Sequence, residues 1–541
     1  MNGRRLPSVV LGVVLAVGML LALPVATASA HAALESSTPS ANSVIEASPP
    51  QLVLDFDEDI EAPLASIQLF DAQRQPVDLG DPKVGDDDTS VTASLPTLDD
   101  GLYAVIWRVT SADGHVVDGA FSFQVGTAAT GDGNDLIADV SSGGGVDPAL
   151  KWSYGVARFL ALAGAILLIG LVAWSLQGRG ALGTISRIRR TMWVGWAALL
   201  VGALGAFGMF GAQASGGTVA DAFSPSVWGD IAGTDTGRAL LLRIVLTLVL
   251  AGLLVMWDAR DRTWWLGVFG SAALLTIISF SKSGHPNSLS PRLLWIAIDT
   301  LHLVAITAWV GGLFALLLAG KAWLSEPEAV RPVERYSATA LVAVPVIVAT
   351  GVAQTLKLAG GLDDVTATTW GRLLLGKVML VIVMVALGGV SRWMMRHDGA
   401  GSIRRTVLVE GIIGLLVIGL AAGMVAQPPR PSVAAIPFNQ SITANGVIAA
   451  VTISPGSVGG NEMHVLITPP GGSITPVSNV TARVSLPSAG VPNSPVTLTS
   501  EGANHYSGNI TFPESGEWTL EFIVNVTASD SALLKTTVTI P

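Results

Sequence analysis

The sequence predicts a multidomain membrane protein, with a small N-terminal β domain, a bundle of eight transmembrane helices and a C-terminal β-sandwich. Charged residues make up only 13% of the 541 positions, about half of the ~25% that is usual for soluble domains. The net charge divides sharply along the chain, at −18 over residues 31–150, +10 over 151–430 and −4 over 431–541. Acidic ends argue against nucleic acid as a partner and favour cations. Cysteine is absent, which excludes disulfides, zinc fingers and cysteine nucleophiles.

Residues 1–30 have the pattern of a secretory signal peptide. Arg4 and Arg5 precede an apolar run over residues 11–25, and small residues end the segment at Ala28, Ser29 and Ala30. An uncleaved anchor helix is the alternative. Cleavage after Ala30 would make His31 the mature N-terminus.

Residues 31–126 show the alternating pattern of half-buried β-strands. The clearest segments are 52–56, 65–70, 104–109 and 120–125, and Pro, Gly and Asp clusters separate them. This pattern predicts a small all-β sandwich or barrel. Residues 127–150 are rich in Gly and Asp and are interpreted as a flexible linker.

Residues 151–427 contain eight apolar stretches, each long enough to cross a bilayer. They cover 153–176, 192–213, 238–257, 263–281, 293–319, 337–356, 372–393 and 406–425. Arginine and lysine concentrate in alternate loops, which predicts that those loops are cytoplasmic. Both β domains are then extracytoplasmic, and the protein is a multi-pass component of a bacterial cytoplasmic membrane with the lipid bilayer as a partner.

A faint internal repeat relates the two halves of the membrane region. Residues 234–243, TDTGRALLLR, resemble residues 368–377, TTWGRLLLGK, at the starts of spans three and seven. The copies lie four spans apart and therefore share an orientation, which indicates a parallel 4+4 duplication. The alternative is that the two helices begin with similar residues by convergence, without a duplication.

The N-terminal domain contains only two histidines, His31 and His115. A mature N-terminal His31 would supply an amine and an imidazole, and Asp113 and His115 would supply a carboxylate and a second imidazole. This set of nitrogen and oxygen donors suits Cu(II). Methionine is absent between His31 and residue 125, so thioether ligands for Cu(I) are missing. The alternative is an exposed terminal histidine and a turn that never meet.

Ionisable residues inside the predicted spans are candidates for a copper pathway, because such residues are costly in a bilayer. Asp299 and His302 are spaced i, i+3 on one helix face in span five, His285 lies in the loop just before that span, and Glu410 lies in span eight. A structural polar pair is the alternative for Asp299 and His302. For Arg243 and Lys377, at equivalent repeat positions, the alternative is snorkelling or pairing with Glu410 or Asp299.

Residues 431–541 predict seven short strands with regular turns, which is typical of an immunoglobulin-like sandwich. The predicted strands are 447–453, 463–467, 480–486, 496–498, 506–512, 518–524 and 534–540. Met463, His464 and His505 are candidates for a second metal site. Surface histidines without a ligand are the alternative.

Three resemblances to known families refine these predictions. The stretch HAALESSTPS from His31, the segment PQLVLDF at 50–56 and YAVIWRVTSADGHVVDG at 103–119 resemble the copper-resistance protein CopC. The resemblance implies a Greek-key β-barrel and a Cu(II) site formed by His31, Asp113 and His115. The family's methionine-rich Cu(I) site has no counterpart in this sequence.

The membrane region resembles the copper-resistance membrane protein CopD. The resemblance rests on DTLHLVAITAWVGGL at 299–313, TWGRLLLGK at 369–377 and RRTVLVE at 404–410. It implies copper passage across the inner membrane, and CopC–CopD fusions are generally interpreted as importers. The C-terminal domain resembles, more weakly, the YtkA-like module found at the end of some such fusions.

Together these patterns predict a non-enzymatic protein that binds Cu(II) outside the membrane and transports copper inward, with an external copper donor or a reductase as further partners. A copper sensor or tolerance scaffold without transport is the main alternative. An N-terminal-histidine copper oxygenase is a second alternative. It would need weak axial coordination of the copper, whereas Asp113 fills the ligand set here. A haem protein is a third, and it lacks the paired intramembrane histidines that haem needs. No ATP-binding motif is present.

Overall fold

The fold is described from a computed structural model of the chain. Contacts divide the chain into two compact units, one formed by residues 1–31, 110–116 and 146–431 and the other by residues 32–109, 117–145 and 432–541. The described residues are 34–126 (except 41–42, 57, 86, 112–113 and 115), 136–137, 140, 147–177, 185–324, 326, 329–359, 365–366, 368–398, 404–425, 427 and 438–540 (except 455, 457–458, 471–475, 503, 514 and 528). The predicted signal peptide and most of the predicted linker lie outside them.

The N-terminal β domain is a sandwich of two sheets. Its strands are β1 (Leu34–Thr38), β2 (Val44–Ile45), β3 (Gln51–Phe56), β4 (Ser66–Asp71), β5 (Pro76–Val77), β6 (Lys83–Val84), β7 (Ser90–Ser94), β8 (Gly101–Thr110) and β9 (Val116–Val125). The sheet orders are β1-β3-β7-β6 and β2-β9-β8-β4-β5. Alternate residues such as Leu52, Leu54 and Phe123 are buried between the sheets, because successive strand residues point to opposite faces. The four predicted strands are confirmed as β3, β4, β8 and β9.

The membrane region contains nine described α-helices. They are α1 (Pro148–Gln177), α2 (Ser186–Ala214), α3 (Pro225–Ala232), α4 (Asp235–Val255), α5 (Thr263–Ser281), α6 (Arg292–Leu324), α7 (Val330–Leu358), α8 (Thr369–Asp398) and α9 (Arg404–Met424). Eight of them, all except α3, are long and apolar enough to cross a membrane. Each coincides with one predicted span, so the prediction of eight spans is confirmed.

The two copies of the predicted repeat begin their helices in the same way. Thr234 caps α4 and accepts a hydrogen bond from Gly237 N at 2.9 Å, and Thr368 accepts one from Gly371 N at 3.0 Å at the start of α8. Both glycines lie against a backbone carbonyl: an added Cβ would lie 1.9 Å from Ile231 O or 2.0 Å from Val365 O. The shared cap and shared close contact support a parallel duplication.

A second equivalence lies where α1 crosses α6. A Cβ on Gly170 would lie 2.6 Å from Gly311 Cα and 2.8 Å from Thr307 O, and a Cβ on Gly311 would lie 2.5 Å from Gly170 Cα and 3.4 Å from Ile166 O. Each glycine therefore lies against the glycine of the other helix, and also against the carbonyl of the residue four positions before that glycine. Small residues allow this close packing of membrane helices, and the reciprocal contact relates the first helices of the two halves.

The C-terminal domain is a sandwich of two antiparallel sheets. Its strands are β10 (Phe438–Ala444), β11 (Val447–Ser454), β12 (Gly459–Thr468), β13 (Asn479–Leu486), β14 (Val491–Val496), β15 (Thr499–Gly502), β16 (His505–Phe512), β17 (Gly516–Asn525) and β18 (Ser531–Ile540). The sheet orders are β10-β11-β12-β16-β15 and β14-β13-β17-β18. Trp518, Phe522 and Phe512 lie in the core between them. Six predicted strands are confirmed, whereas the segment predicted at 496–498 forms its strand earlier, over Val491–Val496.

We predict that Gly237→Ala and Gly371→Ala each lower the melting temperature of the detergent-solubilised protein. The added methyl group collides with a backbone carbonyl that cannot rotate away, and overpacking of this kind costs roughly 1–3 kcal/mol. The matched control is Gly252→Ala in α4, where a Cβ meets nothing within 4 Å. An equal melting temperature for Gly237→Ala and Gly252→Ala would contradict the proposed contact.

Candidate functional site

The three predicted Cu(II) ligands, His31, Asp113 and His115, lie outside the described residues. The segment that carries Asp113 and His115 connects β8 to β9. Within it, Gly114 has a φ of 83° and its N–H donates to Ser111 O at 2.8 Å. These values are typical of a turn rather than of an extended strand, so strand alternation does not fix how the two ligands face each other. The ligand set stays a prediction.

Gly114 belongs to the same compact unit as the membrane helices. A Cβ at this position would lie 3.0 Å from Thr236 Oγ1, in the first turn of α4. Gly114 and Thr236 are therefore in close contact within that unit.

Asp299 and His302 lie in the first half of α6, about 10 and 15 Å along the axis from its start at Arg292. Ser281 Oγ, at the end of α5, donates to Asp299 Oδ2 at 2.7 Å. His302 is buried, and its Nδ1 lies 2.8 Å from Thr350 Oγ1 of α7. Thr350 Oγ1 also donates to a backbone carbonyl of α7, so it accepts from His302 Nδ1–H. The Nε2 lone pair of His302 is then left for another partner.

Lys377 of α8 acts electrostatically on both Asp299 and His302. Gln354 of α7 faces the same carboxylate. We name Asp299, His302 and Lys377 the α6 polar cluster. Four helices, α5 to α8, therefore supply groups that act on Asp299 or His302, and the influence of Lys377 on Asp299 is electrostatic. Direct pairing of the two charges stays a prediction.

Glu410 occupies a different level of the bundle. It lies about 9 Å along the helix axis from the start of α9. The chain crosses the bundle three times, in α6, α7 and α8, between the start of α6 and the start of α9. These two helices therefore begin at opposite ends of the bundle. Ser391 Oγ of α8 lies 2.8 Å from Glu410 Oε1 and 2.6 Å from Thr406 Oγ1. The carboxylate is buried. Glu410 and the α6 polar cluster are therefore two sites, one towards each end of the second half.

Arg243, the repeat counterpart of Lys377, has no acidic partner in any described contact. Its guanidinium donates to Ser279 Oγ at 3.0 Å, to Ser279 O at 2.7 Å and to Ser283 Oγ at 2.8 Å, and it lies 3.7 Å from the centroid of the Phe280 ring. The pairing of Arg243 with Asp299 or Glu410 that the sequence suggested is therefore wrong. Serine and backbone oxygens satisfy its donors instead.

His285 lies in a short 3-10 turn between α5 and α6 and is buried. Its backbone carbonyl accepts from Ser288 Oγ at 3.1 Å. Arg158 of α1 donates to Ser283 O at 3.3 Å in the same connection. His285 is thus part of the packed connection that leads into α6, rather than a fully exposed loop residue.

The C-terminal domain brings His464 and His505 together and separates Met463 from both. His464 Nδ1 lies 3.1 Å from His505 Nε2. Met463 is fully buried in the core, on the opposite face of β12, so it cannot join the histidines as a ligand. Glu462, which no sequence pattern singles out, lies on the face of His464, and its Oε1 is 3.2 Å from His464 Nε2. The contact with His464 lowers the pKa of Glu462.

Across the part of the chain that is described, no three His, Asp or Glu side chains converge in the geometry of a complete metal site. The α6 polar cluster and the His464–His505 pair each offer two donors. Eight candidate spans with buried ionisable groups, flanked by two β domains, define a multi-span membrane protein.

Family comparisons identify the domains of this membrane protein. Residues 34–126 match the CopC domain, residues 149–289 match the copper resistance protein D-like N-terminal domain, and residues 330–424 match copper resistance protein D. The chain therefore joins a CopC domain and CopD domains in one polypeptide. The resemblance of residues 431–541 to a YtkA-like module stays a prediction.

Individual relatives carry copper-related names. The chain is 27% identical over 467 residues to copper transport protein CutJ of Bacillus subtilis (strain 168), covering 84% of each protein. It is 29% identical over 222 residues to copper resistance protein D of Pseudomonas syringae pv. tomato, covering 36% of this chain and 70% of the relative. The crystal structure of CopC from Methylosinus trichosporium OB3b is 31% identical, over 19% of this chain and 98% of that one, with a TM-score of 0.17.

We predict energetic coupling between Asp299 and Lys377. Lys377→Met leaves the carboxylate without its counter-charge and Asp299→Asn leaves the ammonium without its own, so each single change destabilises the protein. The double variant loses less stability than the two single variants lose together, and the difference is a coupling free energy of roughly 1–3 kcal/mol. Melting temperatures of the four purified proteins measure the cycle, and strictly additive losses would show that the two charges do not interact.

Proposed function

We propose that this protein captures Cu(II) outside the membrane and carries copper across it. The supporting observation is that Asp299 and His302, an oxygen and a nitrogen donor, lie inside a predicted membrane span of a chain with CopC and CopD domains. A copper ion that leaves water needs such donors in place of its hydration shell, because an unpaired charge in a low-dielectric span is very costly. The protein acts as a binder and carrier rather than as an enzyme.

The α6 polar cluster suits a site that is alternately empty and loaded. Without copper, the ammonium of Lys377 balances the charge of Asp299. When a cation arrives, Asp299 Oδ1 and His302 Nε2 are the donors left free of Ser281 and Thr350. Repulsion from Lys377 then favours release, so copper binds there without being trapped.

Glu410 is the second carboxylate along the proposed route. Its position near the start of α9 places it towards the end of the bundle opposite to Asp299. The arginine-rich loops predict that this end is cytoplasmic. Copper would therefore meet Asp299 and His302 first and Glu410 second during uptake, while His285 would lie at the entrance. An extracytoplasmic donor or reductase would supply the ion.

We predict that Asp299→Asn and His302→Ala each lower copper uptake by cells at least roughly tenfold, the scale on which losing one site residue weakens metal binding. Uptake of mass-labelled copper is measured in a strain whose only copy is the variant, with membrane abundance checked by immunoblot. The matched control is His397→Ala at the end of α8, an exposed histidine whose Nδ1 lies 2.9 Å from the carbonyl oxygen of Trp393.

Three results would contradict the proposal. Equal uptake by wild type, Asp299→Asn and His302→Ala would exclude these residues from the route. Higher cellular copper in the deletion strain than in wild type would reverse the direction to export. A strain that loses copper tolerance without any change in uptake would instead favour the sensor or scaffold function.

We predict that His31→Ala lowers the highest Cu(II) affinity of the purified full-length protein by at least roughly 100-fold, because the change removes an imidazole from the proposed ligand set. Competition calorimetry with a chelator measures this affinity.

The Cu(II) affinity of the N-terminal site also falls on acidification, since the amine and imidazoles must lose protons before they bind metal. One extra residue before His31 is the sharper variant, because it keeps the imidazole and displaces only the amine. Unchanged affinity in both variants would exclude the N-terminal site.

A further inference from the structure

The outward face of the five-stranded sheet in the C-terminal domain carries a pair of adjacent histidines. In the antiparallel pairing of β12 with β16, His464 lies opposite Ser507 and Leu466 lies opposite His505. His464 and His505 are therefore diagonal neighbours on one face, a spacing that long or aromatic side chains bridge readily. The residues on either side of His464, Met463 and Val465, are fully buried and face the core.

The two imidazoles are held in place from both sides. Their ring centroids lie 5.4 Å apart with an interplanar angle of 29°, and His464 Nδ1 is 3.1 Å from His505 Nε2. On the far side of His464, Glu462 Oε1 is 3.2 Å from Nε2, and the side chain of His464 is only 12% exposed. Ser40 Oγ of the CopC domain, in the same compact unit, donates to Glu462 Oε2 at 2.9 Å.

Glu462 lies beside the nitrogen of His464 that faces away from His505, with its Oε1 3.2 Å from Nε2. A carboxylate at this position suits the tautomer of His464 with its proton on Nε2, in which the Nδ1 lone pair faces His505. A carboxylate behind a histidine is the usual outer-shell partner of a metal-binding imidazole.

The distance between the two nitrogen atoms fits a metal ion. With metal–nitrogen bonds of about 2.0 Å, nitrogens 3.1 Å apart subtend roughly 100° at the metal, between the square-planar and tetrahedral values. The metal would take the position of the hydrogen between the two rings, and the ring proton of His505 would move from Nε2 to Nδ1 through solvent, so that both imidazoles stay neutral. A polar cleft lies beside Glu462 and is lined by Thr497, Thr499, Ser507, Gly508 and Asn509.

We propose that His464 and His505 form a Cu(II) site in the C-terminal domain, with Glu462 as its outer-shell carboxylate. Imidazole ligands suit copper, nickel and zinc, and Cu(II) binds most strongly among the divalent ions. Met463 is turned into the core, so the site lacks the thioether that would favour Cu(I). The site is independent of the proposed transport route, because none of its residues lies in a span.

The test uses the full-length protein in detergent with His31→Ala, His115→Ala and His302→Ala, which removes two ligands of the proposed N-terminal site and one ligand of the proposed site in α6. Cu(II) sulfate is added alone, and bound copper is measured together with the electron paramagnetic resonance spectrum. We expect one bound Cu(II) with nitrogen coupling from two imidazoles. A further His464→Ala or His505→Ala change should remove this signal, and Glu462→Gln should weaken binding by about 10–100-fold.

His397→Ala in the same background is the matched control, and it should leave the copper signal unchanged. Copper should also raise the melting temperature of the parent, because a ligand bound only to the folded state stabilises it, and should not raise that of His464→Ala. Glu462→Gln keeps the size of the side chain and so tests the site where an alanine variant folds poorly. Equal copper content and equal melting shifts in the parent, His464→Ala and His505→Ala would overturn the proposal, and the pair would then be a hydrogen bond that joins two strands.

Discussion

An ionisable side chain inside a membrane-spanning helix is tolerated only where other groups in the bundle satisfy it, and the second half of the membrane region is arranged around that constraint. Asp299 and His302 extend from α6, and their partners come from α5, α7 and α8. Ser281, Thr350 and Lys377 each contribute from a different helix. Their hydrogen bonds and charge thereby fix how these helices face one another, so the groups proposed to carry copper also organise the packing around it.

The two halves of the membrane region share a helix-start design but differ in the charge they bury. Thr234 with Gly237 and Thr368 with Gly371 form the same cap and the same close carbonyl contact. Nine residues after each threonine, Arg243 donates to serine and backbone oxygens, whereas Lys377 acts on Asp299. A buried cation held by three hydrogen bonds to serine side chains and a backbone carbonyl suits a structural role. A carboxylate balanced by a longer-range charge can exchange partners, which is why the proposed route lies in the second half.

The sequence was sufficient for elements that follow one periodicity and insufficient for contacts that depend on register. All eight spans and strands such as β3 and β17 follow from apolar patterns, because burial alone determines them. The edge strand β14 contains Pro492 and Pro495, which argue against a strand except at the edge position that it occupies. Strand alternation already separates Met463 from His464, but the contact between His464 and His505 depends on the pairing of β12 with β16, which the sequence does not encode locally.

The proposed copper ligands share a chemistry that bears on the oxidation state of the ion. The N-terminal set, the α6 polar cluster and the His464–His505 pair all offer nitrogen and oxygen, and the chain has no cysteine. Of the methionines, Met192, Met384 and Met463 are packed in hydrophobic cores, and Met379 is exposed on the outside of the bundle. The thioethers of Met192, Met384 and Met463 are thus used for packing. Since thioethers favour Cu(I) whereas imidazole and carboxylate groups also suit Cu(II), all three proposed ligand sets favour the same oxidation state of the ion, Cu(II).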